Sequence, residues 1–404
     1  MKIGIIGGGA AGFFSAIAAK ENYPHAEVTI LEKSDRLLSK VKISGGGRCN
    51  VTNACGSVEE LCEAYPRGGK SLKKMFYTFS NQDAMKWFES RGVPLITQED
   101  NCVFPKSQNS QSIIDCFMKE AERLNIEIEL DSGVKKIEST DEKLEMHFIS
   151  ESLPPRIFDK VIVATGGSPK KAGLNWLENL GHKIKYPVPS LFSFNMPSEP
   201  VTDLMGIVVK NTLVNIQGTK IKAAGPLLMT HWGMSGPVIL KLSSFGARLL
   251  NEKYYKFKIQ VNWVNETNNE TVMQHLRSIM SDHANKILSN YRPYALPERL
   301  WHFHLEKYSI SAEKRWGELG NKDINKISNF LTNEEYSVNG KSTFKEEFVT
   351  CGGVSLKSID LNTMQSKVCK DLYFAGEVLD IDGITGGFNF QAAWTTGFIA
   401  GKLL

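Results

Sequence analysis

The first 32 residues constrain the fold more than any other stretch of the chain. Lys2-Ile3-Gly4-Ile5-Ile6 reads as a short buried strand, and Gly7, Gly9 and Gly12 follow it with the spacing G-x-G-x-x-G. Ala10 to Lys20 has helix-forming composition, and Val28 to Leu31 is a second apolar run closed by Glu32. Strand, glycine turn, helix, strand and terminal acid in this order specify a βαβ unit of the dinucleotide-binding kind. Gly7 permits the tight turn, Gly9 lets a pyrophosphate approach the backbone, and Gly12 lets helix and strand pack closely. The helix start at Ala10 and Ala11 offers unpaired N–H groups and a positive dipole end to phosphate. Glu32 is placed to accept from both ribose hydroxyls and to repel a 2′-phosphate. The bland alternative is a βαβ unit that binds nothing; the flanking strands and the acid weigh against it.

A chain of 404 residues suits two or three domains with sizeable cores. The net charge of +4 is small and dispersed, and no basic block resembles a nucleic-acid-binding stripe, so no nucleic-acid partner is expected. Met1-Lys2 and the Ala16 to Ala19 stretch superficially resemble a secretion leader. Five glycines in the first 12 residues would weaken such a helix, and cleavage would remove the phosphate-binding strand. No run approaches the roughly 18 apolar residues that a membrane span needs. Seven scattered cysteines suit a reducing cytosol better than a disulfide framework, so a cytoplasmic location is expected.

Further along, Leu72 to Gly92 reads as one helix, and Ser112 is placed to cap another. Ile126 to Leu130, Val134 to Ile137 and Leu144 to Phe148 read as strands. Lys160 to Val163 is a buried strand running into Ala164-Thr165-Gly166-Gly167. The pattern changes near Pro187 to short strands, among them Ile207–Val209, Leu213–Ile216 and Phe257–Val261, with one helix from about Val238 to Leu250. Thr267-x-x-Glu270 reads as a capping box that opens a helix through Leu288. Pro297 starts another helix, and Ser311 caps a third. Asn339-Gly340, between Tyr336–Val338 and Ser342–Phe344, has the signature of a two-residue hairpin turn. The fold class expected is α/β: a Rossmann-like dinucleotide-binding domain (1–188 and 346–404) with an inserted β-rich domain (189–264 and 333–345) that itself carries a small helical domain (265–332).

Three features favour FAD over NAD. Leu372 to Glu377 is a strand whose terminal carboxylate can hydrogen-bond a polyol chain. Gly386-Gly387 precedes a C-terminal helix and presents N–H groups where a reduced flavin carries negative charge. Thr165-Gly166 ends a strand at a point where backbone must pass close to a cofactor.

These residues carry a resemblance to the HI0933-like family of flavoproteins, within the two-dinucleotide-binding-domain class that includes fumarate reductase-like enzymes. The strings that carry it are ISGGGRCNVTN (Ile43 to Asn53), FVTCGGV (Phe348 to Val354) and YFAGEVLDIDGITGGFNFQ (Tyr373 to Gln391). Thr230-His231-x-Gly233-x-Ser235-Gly236-Pro237 adds to it in the insertion. The resemblance implies non-covalent FAD, a small-molecule substrate and hydride transfer at flavin N5. It implies either an amine oxidase of the aminoacetone-oxidising kind or a reductase fed by NAD(P)H. Cofactor contacts then fall on Gly7, Gly9, Ala10, Ala11, Gly12, Glu32 and Lys33. Others fall on Gly45, Gly46, Gly47, Arg48, Cys49, Asn50, the backbone of Val134, Thr165, Gly166, Gly376, Glu377, Gly386, Gly387, Phe388 and Asn389. The glycine run agrees on physical grounds, since backbone without side chains can lie against a ring or phosphate. The chain departs from the family pattern in the compact stretch Ser168 to Asn175.

Two rival functions remain open. Cys49 and Cys55 sit where flavin disulfide reductases carry their redox pair, although five residues separate them instead of four and a second glycine fingerprint is missing. A flavin-holding accessory protein without catalysis is the other. His231 is a candidate proton donor or a hydrogen-bonded structural histidine. Trp301-His302-Phe303-His304 lacks the acidic or cysteine partners of a metal site, so no metal is expected. The helical stretch reads equally well as a partner-binding module or an active-site cap.

Overall fold

The computed structural model describes residues 1–140, 143–342 and 349–404. The chain divides into two units, Met1–Ser190 with Phe344–Leu404, and Leu191–Thr343.

In the first unit, five strands form one sheet: β1 (Lys2–Ile6), β2 (Glu27–Leu31), β3 (Glu127–Glu129), β4 (Lys160–Val163) and β5 (Leu372–Phe374). Their order is β5-β4-β1-β2-β3, and every pairing is parallel. Ile3, Ile5, Ile30, Val161, Ile162 and Val163 are fully buried, as unbroken apolar runs covered on both faces should be. Helix α1 (Ala10–Asn22) follows β1, and helix α2 (Phe388–Ala400) closes the chain against it. Apart from Asn389, Phe390 and Phe398, α2 is buried along its whole length, which explains its apolar composition on all sides. Its glycines let the two helices meet at backbone distance. A Cβ on Gly401 would stand 2.5 Å from that of Ala18, and one on Gly397 3.2 Å from the Ala11 carbonyl. Chain order reverses between β1 and β4. That is the switch point at which open α/β sheets bind ligands beyond the carboxyl ends of their strands.

Smaller sheets flank this one. Val134–Ser139, Leu144–Phe148 and Arg156–Phe158 form an antiparallel meander. Ile184–Ser190 pairs antiparallel with Val349–Val354; Phe348, which opens the FVTCGGV string, lies outside the described residues. The single helix expected over Leu72 to Gly92 is two, Gly69–Thr78 and Asn81–Glu89. Ser80 breaks it by forming a capping box with Asp83. The helix expected after Ser112 starts earlier, at Gln111, with Ser110 at its cap position.

The second unit is built on a seven-stranded sheet. In order, its strands are Glu334–Asn339, Lys256–Asn262, Val208–Ile216, Lys222–Thr230, Gly233–Ser235, Ser193–Asn195 and Lys341–Ser342. The first and last of these are separated only by Gly340. One extended segment therefore pairs with Lys256–Asn262 along its first half and with Ser193–Asn195 along its second, closing the sheet into a barrel. Asn339-Gly340 is thus not a hairpin turn, and Thr343 and Phe344 of its expected second strand lie outside the described residues. Gly340, at φ +110°, donates to the Tyr255 carbonyl and accepts from Asn195 N–H, so its two peptide groups serve opposite edges. Of the strands expected over Ile207–Val209 and Leu213–Ile216, all but Ile207 belong to the single strand Val208–Ile216, with an irregularity between Val209 and Thr212.

Helix Pro237–Glu252 packs on the barrel. The helices Asn269–Asp282, Glu298–Lys307 and Asn321–Thr332 share one core with it, joining Ile259, Val261 and Trp263 to Trp301, Ile327 and Phe330. Here too the caps differ from expectation. Asn268, not Thr267, caps the first helix by accepting from Glu270 N–H, and that helix stops at Asp282. The third is capped by Gly320, nine residues past the expected Ser311.

Candidate cofactor site

The three fingerprint glycines take three separate tasks. Gly7, at φ +111°, lies so near β4 that a Cβ would stand 2.5 Å from the Ala164 carbonyl. A Cβ on Gly12 would stand 1.9 Å from the Gly7 carbonyl, so α1 can rest on the turn only because Gly12 has none. Gly9 has no atom within 4 Å of the same position. It caps α1 without any side-chain hydrogen bond, and the helix N-terminus stays available to an anion. Beside this turn, Glu32 is buried and its carboxylate is pre-oriented. It accepts from Gly8 N–H at 2.7 Å, from Ser34 N–H at 3.0 Å and from the Ser34 hydroxyl at 2.9 Å. Three of its roughly four acceptor sites are engaged, which leaves room for one ribose hydroxyl without disturbing Ser34.

Residues 131–134 run alongside. Ser132 N–H donates to the Glu32 carbonyl at 2.8 Å, and Asp131 N–H to that of Ser34 at 3.3 Å. This brings Gly133 against Lys33, and Val134 opens the meander next to it.

The run Gly45-Gly46-Gly47 has φ values of +57°, +68° and +82°, all left-handed, at the end of the helical segment Ser39–Gly47. A Cβ on Gly46 or Gly47 would meet nothing within 4 Å, whereas one on Gly45 would press on Phe104 and Asn50. Arg48 folds back from this turn. Its Nε donates to the Gly45 carbonyl at 3.1 Å, its Nη1 to Gln108 at 3.3 Å, and its guanidinium lies 4.2 Å over the Phe104 ring. Cys49 is fully buried at φ +61°, and burial pushes its thiol up to about 12. Cys55 is also buried and raised to about 11, chiefly by burial and then by Glu60. Both thiols are free and held in the neutral form, which is poor for a thiolate nucleophile.

After β4, beside the Gly7 turn, Thr165 is exposed and Gly166, at φ +72°, faces open space. Gly376 N–H donates to Thr396 at 2.8 Å. Glu377 accepts from Thr350 N–H at 2.9 Å and from Lys40 Nζ at 2.6 Å. Lys40, from the otherwise plain polar stretch before the glycine run, is a participant that sequence reading missed. Gly387, at φ +90°, caps α2 with no side-chain bond, and a Cβ there would strike the Thr52 carbonyl at 2.4 Å. Asn50, with its amide turned so that it donates to the Val103 and Thr52 carbonyls, accepts from Gly387 N–H at 3.2 Å. Asn389 makes a reciprocal pair with the Gly383 backbone, at 2.8 and 3.0 Å, and Tyr65 donates to the Phe388 carbonyl at 2.6 Å. These two residues therefore shape the turn from behind.

The residues fit an elongated dinucleotide with a carboxylate-recognised ribose. Gly9, Gly46, Gly47 and Gly166 leave backbone facing open space, α1 and α2 both start without side-chain caps, and a positioned acid stands at the end of β2. The remaining candidates fall elsewhere. His231 is exposed in the second unit, with its ring centroid 4.3 Å from that of Trp232. Among the described residues, one trio of possible metal ligands, Glu138, Glu145 and His147, sits on the meander, where Lys136 already pairs with Glu138. No helix among the described residues is long and apolar enough to cross a membrane.

Comparison with known proteins bears on the family and the fold. The chain is 26% identical to a 3-dehydro-bile acid delta(4,6)-reductase of Clostridium scindens, over 99% of this chain and 98% of the relative. It is 27% identical to a ribosomal RNA dihydrouridine synthase of Escherichia coli, over 98% and 95%. In fold it is similar to the 3-ketosteroid delta1-dehydrogenase of Sterolibacterium denitrificans, with a TM-score of 0.50 at 10% identity, over 99% and 98%. The model of the HI0933-like protein Rossmann domain matches residues 1–403. The chain therefore belongs to the HI0933-like family, a flavoprotein family of oxidoreductases.

Proposed function

We propose that the chain is an FAD-dependent reductase acting on a carbon–carbon double bond conjugated to a carbonyl. The observation that carries the cofactor reading is the open glycine backbone beyond β1 and β4, together with the pre-oriented Glu32. Bound FAD supplies a two-electron hydride carrier. Glu32 and Lys33 then hold the adenosine end, with the backbone of Val134 beside them. Gly9, Ala10 and Ala11 at the start of α1 hold the pyrophosphate. Gly45 to Asn50, Thr165, Gly166, Gly376 and Glu377 line the middle of the cofactor. The start of α2, from Gly386 to Asn389, offers positive dipole to the flavin end.

The reductase direction draws on the two full-length relatives. Saturating a 3-oxo-conjugated steroid double bond and saturating uridine are both hydride additions to an alkene conjugated with a carbonyl. This reading needs a two-electron donor, for which NAD(P)H is the candidate we propose. The raised thiols of Cys49 and Cys55 favour hydride chemistry over dithiol exchange. A second substrate reading, uridine in RNA, has one observation in its favour. Leu191–Thr343 carries 18 Lys and Arg against 13 Asp and Glu, a net +5, and the remainder of the chain is at −1. A polyanion would be drawn to the second unit.

Anaerobic titration of the FAD-loaded protein tests both. Bleaching by NADH or NADPH, followed by reoxidation with a conjugated enone or with unmodified ribosomal RNA, is the expected result, and the substrate that reoxidises it identifies the class. Bleaching by an amine alone makes the protein an amine oxidase instead. A protein that binds no added FAD overturns the reading.

A further inference from the structure

Behind the turn that begins α2 lies a buried ionic cluster that no cofactor contact explains. Asp382 is fully buried, and Arg67 clamps it with two hydrogen bonds, Nε to Oδ1 at 2.6 Å and Nη2 to Oδ2. The Ser190 hydroxyl donates to the same Oδ2 at 2.8 Å. Burial raises the Asp382 carboxyl, and the Arg67 guanidinium opposes that rise. The backbones follow the side chains. Arg67 and Asp382 form an antiparallel bridge, and Ile384 N–H donates to the Ala64 carbonyl at 2.9 Å. Gly68 at φ +84° lies against Ile381, where a Cβ would stand 2.8 Å from Cγ1. Tyr65 reaches the Phe388 carbonyl and packs under Gly383. Residues 64–68 thus buttress residues 381–388, the segment that holds Gly386 and Gly387 and leads into α2.

A bidentate pair of this kind is costly to bury, and a well-packed apolar substitute is often as stable. Stability alone is therefore a weak reason for its place here. Low dielectric makes its field strong and lets the protein fix a charge distribution beside the glycine turn. We propose that Arg67 and Asp382 are positioning residues for the flavin: they hold the Gly386–Gly387 turn and the start of α2 in place and balance the charge that the flavin end of the site feels. The proposal rests on the FAD reading above.

Midpoint potentials of the bound FAD in three variants test it. Arg67→Met leaves the negative member, so reduced flavin is disfavoured and the potential falls. Asp382→Asn leaves the positive member and the potential rises. Each shift corresponds to roughly a tenfold change in the preference for reduced flavin, which is about 30 mV for a two-electron couple. Arg67→Lys keeps the charge and stays near wild type in potential, with a weaker FAD affinity from the lost fork. Potentials that do not move, or that move in one direction for both charge-removing variants, overturn the proposal. So does a variant that melts early while its remaining holoprotein keeps the wild-type potential, because the pair is then structural only. If Asp382→Asn cannot be purified, Ser190→Ala takes its place. It keeps both charges but removes a donor from the carboxylate, so its potential should fall; no change counts against the proposal. A wild-type protein that binds no FAD defeats the functional reading itself, whereas FAD-binding variants without opposed shifts defeat only this inference.

Discussion

Gly9 and Gly12 stand three residues apart and face opposite conditions. A methyl group on Gly12 would meet the Gly7 carbonyl at 1.9 Å, and one on Gly9 would meet nothing. Gly12→Ala should therefore destabilise the apoprotein by about 3 kcal/mol in urea unfolding, the cost of severe overpacking. Gly9→Ala should leave apoprotein stability within about 0.5 kcal/mol. It should still weaken FAD binding about tenfold or more in a fluorescence titration, because the added methyl occupies the pyrophosphate's approach. Equal effects of the two substitutions on apoprotein stability would contradict the division of labour. At Cys49 and Cys55 the expected result is negative: labelled thiols counted before and after chemical reduction should give the same number. Much at this scale could be read from residue type alone. Glu32 and the fingerprint glycines needed only spacing. Lys40 and Arg67 could not be found that way, because each meets its carboxylate, Glu377 or Asp382, across more than 300 residues of chain.

Between elements, local chemistry decided most of what periodicity blurred. Leu72 to Gly92 keeps enough aromatic residues to suggest one helix, but Ser80 and Asp83 offer a competing set of backbone hydrogen bonds that ends one helix and starts the next. Ser80→Ala should cost about 1 kcal/mol, within the usual range for a lost cap, and denaturant unfolding would measure it. Asn-Gly is the strongest short hairpin signal, and here it misled. Gly340 supplies the positive φ such turns need, yet tertiary pairing uses it to hand a strand from one partner to another. Barrel closure is non-local, and no window of sequence around residue 340 contains Ser193–Asn195. Gly340→Val should therefore destabilise the second unit by about 1–3 kcal/mol through backbone strain, seen as earlier loss of its tryptophan signal on heating.

For the whole molecule, acid stability has a direction that follows from two histidines. His304 is buried in the second unit, stacked on Phe330, with neither ring nitrogen hydrogen-bonded, and burial lowers it to about 3. His182 in the first unit is also lowered by burial, and its neutral ring bridges the Leu177 carbonyl and Ser366. A histidine whose folded pKa lies below its unfolded value stabilises the fold above about pH 6.5, and that contribution is lost as pH falls. His304 alone accounts for about 2 kcal/mol lost between pH 8 and pH 5. His304→Phe should flatten that slope and cost little near pH 7, since it removes unsatisfied polar atoms; melting temperatures across that pH range measure both. An unchanged slope in His304→Phe would place the acid sensitivity elsewhere. Net charge was a poor guide at this scale. A total of +4 hid an imbalance of +5 against −1 that emerges only when the chain is divided where it folds.

Ser190 and Val349 are paired across the small sheet that joins Ile184–Ser190 to Val349–Val354. Neighbours in such a ladder are about 5 Å apart, so the chain departs from the first unit and comes back to it at practically one point. The second unit can therefore change in length without respacing any strand of the nucleotide-binding sheet.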